Sequence, residues 1–122
     1  MAIYLIVLAS VVLTALAQIA LKAGMSTPAV RQIADESNIL ALIGTIARSP
    51  AIFAGFTLYG LSVMLWLFVL SRLEVSRAYP FVGLGIVVTM ILGYLMLGEP
   101  LSLPKIVGTI LVAGGVWLVA TA

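Results

Sequence analysis

The 122-residue chain is too apolar for a soluble domain, because 64% of its residues are hydrophobic and 8% are charged. Soluble domains average about a quarter charged residues, so the composition indicates a membrane protein. The chain has no cysteine or histidine and only four carboxylates, which excludes disulfides and leaves few groups for catalysis or metal binding. Its net charge of +2 comes from basic residues scattered singly, unlike a nucleic-acid-binding surface. We therefore expect no enzyme, cofactor, metal site or nucleic-acid partner.

Four apolar segments predict four transmembrane helices, at about residues 3–22, 50–70, 77–98 and 103–121. A helix needs about 20 residues to cross the ~30 Å hydrocarbon core, and the fourth segment reaches this length when it begins at Leu103. The first segment is too long for a signal peptide and has no basic region before it, so we expect it to remain as a span. The alternating ten-residue segments of a membrane barrel are not visible. We therefore predict a single all-α membrane domain over residues 1–122.

The first span carries a line of polar residues at steps of four: Ser10, Thr14, Gln18 and Lys22. Each step of four advances only ~40° around a helix, so we expect these residues to share a face. A Gln or Lys turned toward lipid costs about 2–3 kcal/mol at the helix centre, which favours a protein-lined chamber. Ser10 and Thr14 could instead bond to backbone carbonyls of their own helix or permit close packing, and Lys22 could extend to the membrane surface. For Ser10 we favour that structural role.

Residues 27–48 form the one long connection, between the first and second spans. Thr27-Pro28 can open a short helix, and Ile39, Leu40, Ile43 and Ile46 repeat at helical spacing. The segment is too short to span the membrane. We predict a short helix lying at the membrane interface.

The remaining connections are short and carry helix-boundary signals. Ser49-Pro50 and Ser102 with Pro104 are typical of helix starts, and Gly98-Glu99-Pro100 ends the third span. These short connections predict that the second and third spans pack as antiparallel neighbours, and that the third and fourth do the same.

The fourth span offers a surface of small and apolar residues for association. Glycine lets helix backbones approach closely, and in lipid such packing is a main source of helix association. Four helices are too few to enclose a solute path, so we expect a second subunit to complete it. The alternative is that this surface packs within the subunit, against the first or third span. The predicted dimer contact consists of Gly108, Leu111, Val112, Gly115 and Val116.

Residues 71–120 resemble the carboxy-terminal half of a four-helix unit of the drug/metabolite transporter superfamily, which includes small multidrug resistance proteins. Their sequence is "SRLEVSRAYPFVGLGIVVTMILGYLMLGEPLSLPKIVGTILVAGGVWLVA". The matching elements are Ala78-Tyr79-Pro80, the hairpin from Leu97 to Ser102, and the fourth helix. With "AQIALK" in the first span, the chain most resembles the paired subunits of the aminoarabinose-phosphoundecaprenol flippase.

The resemblance implies a dimer in which the first three spans line a substrate chamber and the fourth makes the dimer contact. Tyr59 and Tyr79 match tyrosines of the family, and Ser62 and Trp66 follow Tyr59 on the same helical side. The proton-coupled exporters of the superfamily carry a glutamate at the position of Thr14. No carboxylate lies within a span here, which disfavours exchange of protons for cations.

A chamber with Gln18 and Lys22 in place of a buried acid should prefer anions. Arg72 and Arg77 could capture an anion at its mouth, although contact with lipid head groups is an alternative. Gly83 and Gly85 could form a flexible point or serve helix packing. The predicted substrate-binding residues are Thr14, Gln18, Lys22, Tyr59, Ser62, Trp66 and Tyr79.

We therefore expect a transporter or flippase subunit that moves an anionic amphiphile, such as a polyprenyl-phosphate-linked sugar, across the bacterial inner membrane. The alternatives are a proton-coupled exporter of cationic drugs or small metabolites, and an assembly subunit without transport activity. The partners would be membrane lipid and either a second copy or a related four-helix chain. Basic residues are nearly balanced between the two sets of loops, so either membrane orientation is compatible with the sequence.

Overall fold

The computed structural model describes residues 2–122, and over this range the protein is helical apart from its connections. Four helices are long and apolar enough to cross a membrane: Ala2–Met25, Pro50–Leu70, Val75–Leu97 and Leu103–Thr121. The third consists of a short helix, one 3₁₀ turn and a long helix. The elements in order are α1 (Ala2–Met25), α2 (Pro28–Asp35), α3 (Ile39–Ala47), α4 (Pro50–Leu70), α5 (Val75–Ala78), a 3₁₀ turn (Tyr79–Phe81), α6 (Val82–Leu97) and α7 (Leu103–Thr121). The predicted all-α fold with four candidate membrane spans is confirmed.

The boundary signals in the sequence set the helix ends. The Ser49 hydroxyl accepts from the Ile52 N–H at 3.4 Å, and the Ser102 hydroxyl accepts from the Lys105 N–H at 3.3 Å. These bonds satisfy N–H groups that have no partner within the helix. Gly98, with φ of 67°, ends α6 in the left-handed conformation that glycine tolerates best.

The long connection contains two short helices. The Thr27 side chain caps α2, and the Asn38 side chain caps α3 by accepting from the Ala41 N–H at 3.2 Å. α3 buries none of its residues, and Leu40 is 83% exposed. The predicted helical segment is confirmed, as two helices with a break between them. Its location at the membrane interface stays a prediction.

Helix α1 lies at the centre of the bundle. It packs along α4 on one side and along α6 on the other, and α7 packs against α6 and the 3₁₀ turn. The third and fourth spans are neighbours, as predicted. The second and third contact each other mainly beside their connection, where α4 meets α5, and α1 packs against both α4 and α6. The prediction that these two spans pack as neighbours along their length is therefore wrong, and α4 and α6 diverge away from the connection.

Two glycines allow close approaches between helices. A Cβ at Gly55 of α4 would lie 2.7 Å from Leu21 Cδ2 of α1. A Cβ at Gly83 of α6 would lie 3.0 Å from side-chain methyl groups of both Val112 and Val116 of α7. Glycine at these positions therefore brings the backbones together, as small residues do in membrane helices. The role of Gly83 in this structure is packing, one of its two predicted roles.

Candidate functional site

A cluster of three hydroxyl groups joins α1 to α4 in the middle of the bundle. The Ser62 hydroxyl donates to the Ser10 carbonyl oxygen at 2.9 Å, and the Ser10 hydroxyl lies 3.2 Å from the Ser62 carbonyl oxygen. The Thr14 hydroxyl donates to the Ser10 carbonyl oxygen at 2.9 Å and contacts the Ser62 hydroxyl. Ser10 and Ser62 are only 3% and 4% exposed. Each buried hydroxyl therefore has a partner, as burial requires.

A cavity of about 230 Å³ opens beside this cluster, in the gap between α4 and α6. Its wall combines hydroxyl groups with aromatic and small apolar side chains. The lining residues are Ser10, Val11, Thr14, Tyr59, Ser62, Val63, Trp66, Tyr79, Val82 and Gly85. The structure thus brings together five of the seven predicted substrate-binding residues in one cavity. Their contact with a substrate stays a prediction.

A second cavity, of about 510 Å³, continues along α1 toward the hairpin between α6 and α7. Gln18 lies here and not in the first cavity. The lining residues are Thr14, Ala15, Gln18, Val82, Gly85, Ile86, Thr89, Met90, Glu99, Pro100, Leu101, Lys105 and Thr109. Because Thr14, Val82 and Gly85 line both cavities, the two adjoin. Together they follow the polar line of α1 from the end near Tyr79 to the end near Glu99.

Three predicted cationic residues lie outside both cavities. Lys22 is exposed near the end of α1 and lines neither cavity. Arg72 is exposed in the connection that follows α4, and Arg77 is exposed in the short helix α5. The Arg72 guanidinium lies 5.5 Å from the centroid of the Phe68 ring, a cation–π distance. The structure therefore gives these three residues surface positions, with Arg72 and Arg77 at the end of the bundle nearest Tyr79.

Sequence reasoning missed several cavity residues. The predicted role of Ser10 is structural and local, yet its hydroxyl bonds across to α4 and lines the first cavity. Glu99 belongs to the predicted end of the third span and Lys105 has no predicted role, but both line the second cavity. The spacing of four between Lys105 and Thr109 was a usable signal, because it places both residues on one face of α7.

The residues predicted for the dimer contact divide between two sides of α7. At ~100° per residue the five positions cover about 140° of the helix surface, so one edge of the stripe can face inward. Val112 and Val116 form that edge, packing against Gly83, and Val116 is 8% exposed. On the other edge Leu111 is 70% exposed, and a Cβ at Gly108 or Gly115 would have no neighbour within 4 Å. The dimer stays a prediction.

The two tryptophans also differ in their surroundings. Trp66 is partly buried and lines the first cavity, whereas Trp117 of α7 is 69% exposed on the outer surface.

No group of three or more acidic side chains that could bind a metal ion is present within residues 2–122.

The structure is a bundle of four candidate membrane spans with two adjoining cavities along α1, lined mainly by apolar side chains with polar groups among them. The chain belongs to the EamA-like transporter family, whose family model matches residues 1–121. Membership in a transporter family confirms the prediction that the protein is not an enzyme, and it confirms the resemblance to the drug/metabolite transporter superfamily.

Bacterial relatives extend the comparison. The chain is 33% identical to the probable 4-amino-4-deoxy-L-arabinose-phosphoundecaprenol flippase subunit ArnF of Proteus mirabilis over 120 residues, covering 96% of this chain and 90% of the relative. It is 34% identical to the ArnF of Photorhabdus laumondii over 116 residues, 93% of this chain and 92% of the relative. It is 37% identical to the probable flippase subunit ArnE of Pseudomonas fluorescens over 71 residues, 58% of this chain and 62% of the relative. No solved structure matches.

Proposed function

We propose that this protein is one subunit of a dimeric flippase of the bacterial inner membrane, which moves an anionic amphiphile such as a polyprenyl-phosphate-linked sugar. The observation that carries the proposal is the similarity to flippase subunits over about nine tenths of both chains. The adjoining cavities support it, because they give a polar head group a route along α1 while the apolar tail stays in lipid.

The first cavity suits a sugar head group. Its hydroxyl groups can exchange hydrogen bonds with sugar hydroxyls, and its aromatic side chains supply the flat apolar surface typical of small-molecule sites. Thr14, Tyr59, Ser62, Trp66 and Tyr79 would contact the head group here. Gln18 would contact it in the second cavity. Lys22 was also predicted to bind substrate, but its exposed position outside both cavities gives that assignment no support.

The gap between α4 and α6 suits an amphiphile more than a free metabolite. α4 and α6 do not pack along one another. The parts of the first cavity's wall that these two helices form therefore do not close against each other. A head group could enter from the side while its tail remains in the bilayer. Arg72 and Arg77 would attract the phosphate at this end, as cations near a membrane surface attract anions.

A second subunit would enclose the route, with Leu111, Gly108 and Gly115 of α7 as the surface left for the contact. Rocking of one subunit against the other would then expose the head group to each side of the membrane in turn. Either an identical chain or a related four-span chain would satisfy this requirement. The relatives ArnF and ArnE are each named as a subunit of a 4-amino-4-deoxy-L-arabinose-phosphoundecaprenol flippase.

Transport in proteoliposomes tests this proposal. The chain would be purified in mild detergent, together with any four-span partner that accompanies it, and reconstituted with a fluorescent polyprenyl-phosphate sugar. We expect the fluorophore on the inner leaflet to become accessible to an external quencher within minutes. Gln18→Leu should lower the rate about tenfold, because it removes a hydrogen-bonding group that contacts the transition state of translocation.

Lys22→Leu is the matched control on the same helix, and we expect it to retain most of the activity. No acceleration over protein-free vesicles would contradict the proposal. Transport of quaternary ammonium compounds with release of protons would instead support the exporter of cationic drugs.

A further inference from the structure

The two cavities meet at a junction formed by three residues. Thr14 of α1 and Val82 and Gly85 of α6 line both cavities. From this junction the first cavity extends to Tyr79, and the second extends to the hairpin between α6 and α7. A head group that moves along α1 from one cavity to the other has to cross the junction. The width of the junction therefore decides whether the two cavities form one route.

The α1 side of the junction is held in place by hydrogen bonds. The Thr14 hydroxyl donates to the Ser10 carbonyl oxygen at 2.9 Å and contacts the Ser62 hydroxyl of α4. Ser10 and Ser62 are buried, and a β-branched side chain such as that of Thr14 has few alternative rotamers. Turning Thr14 aside would break its bond to Ser10 and its contact with Ser62. The space at the junction therefore depends on α6.

The α6 side of the junction contains a glycine that faces open space. Gly83 and Gly85 are two residues apart, about 200° around the helix, so they face in nearly opposite directions. A Cβ at Gly83 would lie 3.0 Å from methyl groups of Val112 and Val116 of α7. A Cβ at Gly85 would have one atom of another helix within 4 Å, Val11 Cγ1 at 3.7 Å, which is an ordinary contact. Helix packing therefore requires glycine at position 83 but accepts alanine at position 85.

Backbone conformation does not require the glycine at position 85 either. Gly98 is the only glycine with a positive φ within residues 2–122, and Gly85 lies inside the α-helix α6. Glycine inside a helix is less favourable than alanine, because it loses more conformational freedom on folding. What glycine provides at position 85 is therefore space in the junction.

We infer that Gly85 keeps open the passage between the two cavities, and that its lack of a side chain sets the size of the head group that can cross. The inference rests on the proposed function, because it names a residue that determines specificity along the same route. This role differs from the two predicted for Gly85, a flexible point and helix packing. The moving head group would contact the Gly85 backbone on one side and Thr14 on the other.

Chemical closing of the junction in the folded protein tests the inference. The chain has no cysteine, so Gly85→Cys gives it a single thiol. The variant would be reconstituted for the proteoliposome assay and treated with methyl methanethiosulfonate, which adds a thiomethyl group through a mixed disulfide. We expect this group to lower the variant's transport rate about tenfold, because it overlaps the head group in transit. A larger benzyl reagent should lower the rate further, and a reducing agent should restore it. The wild-type protein, treated in the same way, is the control and should not respond.

Substitutions separate lost space from lost flexibility. Gly85→Ala should lower the transport rate about threefold without lowering the midpoint of unfolding in a denaturing detergent. Adding Val82→Ala should recover most of the lost rate, because it removes two methyl groups from the same junction. A smaller neighbour would not recover a rate that was lost through stiffening of α6. Gly60→Ala on α4 is the matched control and should leave the rate unchanged, since a Cβ at Gly60 has no neighbour within 4 Å.

Unchanged transport after complete modification of Gly85→Cys, or a thiol that the reagent fails to reach, would overturn the inference and leave the proposed function intact. A loss in Gly85→Ala that Val82→Ala does not recover would do the same. No transport by the wild-type protein would overturn the proposed function and the inference together. Mass spectrometry of the reconstituted protein measures the extent of modification.

Discussion

The Ser62 side chain has two roles: it bonds to the polar backbone of α1, and it lines the first cavity. Its hydroxyl is bonded to Ser10 and contacts Thr14, and the same side chain forms part of the cavity wall. The group that holds the two helices together thus also fixes the position of the wall. Loss of this hydroxyl should lower stability and alter the cavity at once.

We expect Ser62→Ala to lower the free energy of unfolding by about 1 kcal/mol, because it removes hydrogen bonds between α1 and α4 that have no replacement in the bundle. Titration with a denaturing detergent, followed by circular dichroism, measures this change. Thr57→Ala is the control on the same helix, since the Thr57 hydroxyl bonds only to the Phe53 carbonyl oxygen of its own helix, at 2.9 Å, on the exposed side. Equal losses from both variants would contradict the assigned role of Ser62.

The line of polar residues on α1 shows how well helical spacing predicts the direction in which a side chain points. Steps of four drift ~40° each, so the direction changes by ~80° from Ser10 to Gln18 and by ~120° to Lys22. Ser10 accordingly faces α4, Gln18 faces the cavity beside α6 and α7, and Lys22 lies outside both cavities. The sequence predicted a shared face correctly for neighbouring members of the line, but the drift separates its ends.

At the level of elements, the number and ends of the spans followed from the sequence, but their packing did not. Span length and helix caps depend on local composition, which the sequence displays directly. Which spans touch depends on close-fitting surfaces, and in lipid an apolar side facing protein has the same composition as one facing acyl chains. The position of α1 between α4 and α6 was therefore not predictable from the short connection alone.

The packing of α6 on α7 depends on Gly83. We expect Gly83→Val to lower the free energy of unfolding by about 1–3 kcal/mol, because its side chain would overlap Val112 and Val116. The same detergent titration measures the change. Gly60→Val is the matched control, since a Cβ at Gly60 has no neighbour within 4 Å, and it should cause no comparable loss. A Gly83→Val protein as stable as the control would show that α7 is not held by this contact.

At the level of the whole molecule, the outer surface of α7 is exposed. Val112 and Val116 are used within the subunit, whereas Leu111, Gly108 and Gly115 are uncovered. Composition could predict that this helix associates with another. It could not show which edge of the stripe faces inward, because that depends on where Gly83 places α7.

The absence of cysteine from the chain makes the dimer directly testable. We expect Leu111→Cys to form a disulfide-linked dimer in membranes under mild oxidation, because the side chain at this position is exposed near the proposed contact. Val116→Cys is the matched control on the same helix, and its burial should prevent cross-linking. Gel electrophoresis without reductant measures both. No covalent dimer from Leu111→Cys, either with an identical chain or with a related partner chain that carries a cysteine at the matching position, would contradict the assigned contact.

Because the two tryptophans have different surroundings, the intrinsic fluorescence of the protein can report on one of them at a time. Trp66 belongs to the cavity wall and Trp117 to the outer surface. A Trp117→Phe variant would therefore emit from the cavity wall alone. The wavelength of that single emission would shift when a head group replaces water beside the indole ring, so occupancy of the route could be followed without attaching a label to either protein or lipid.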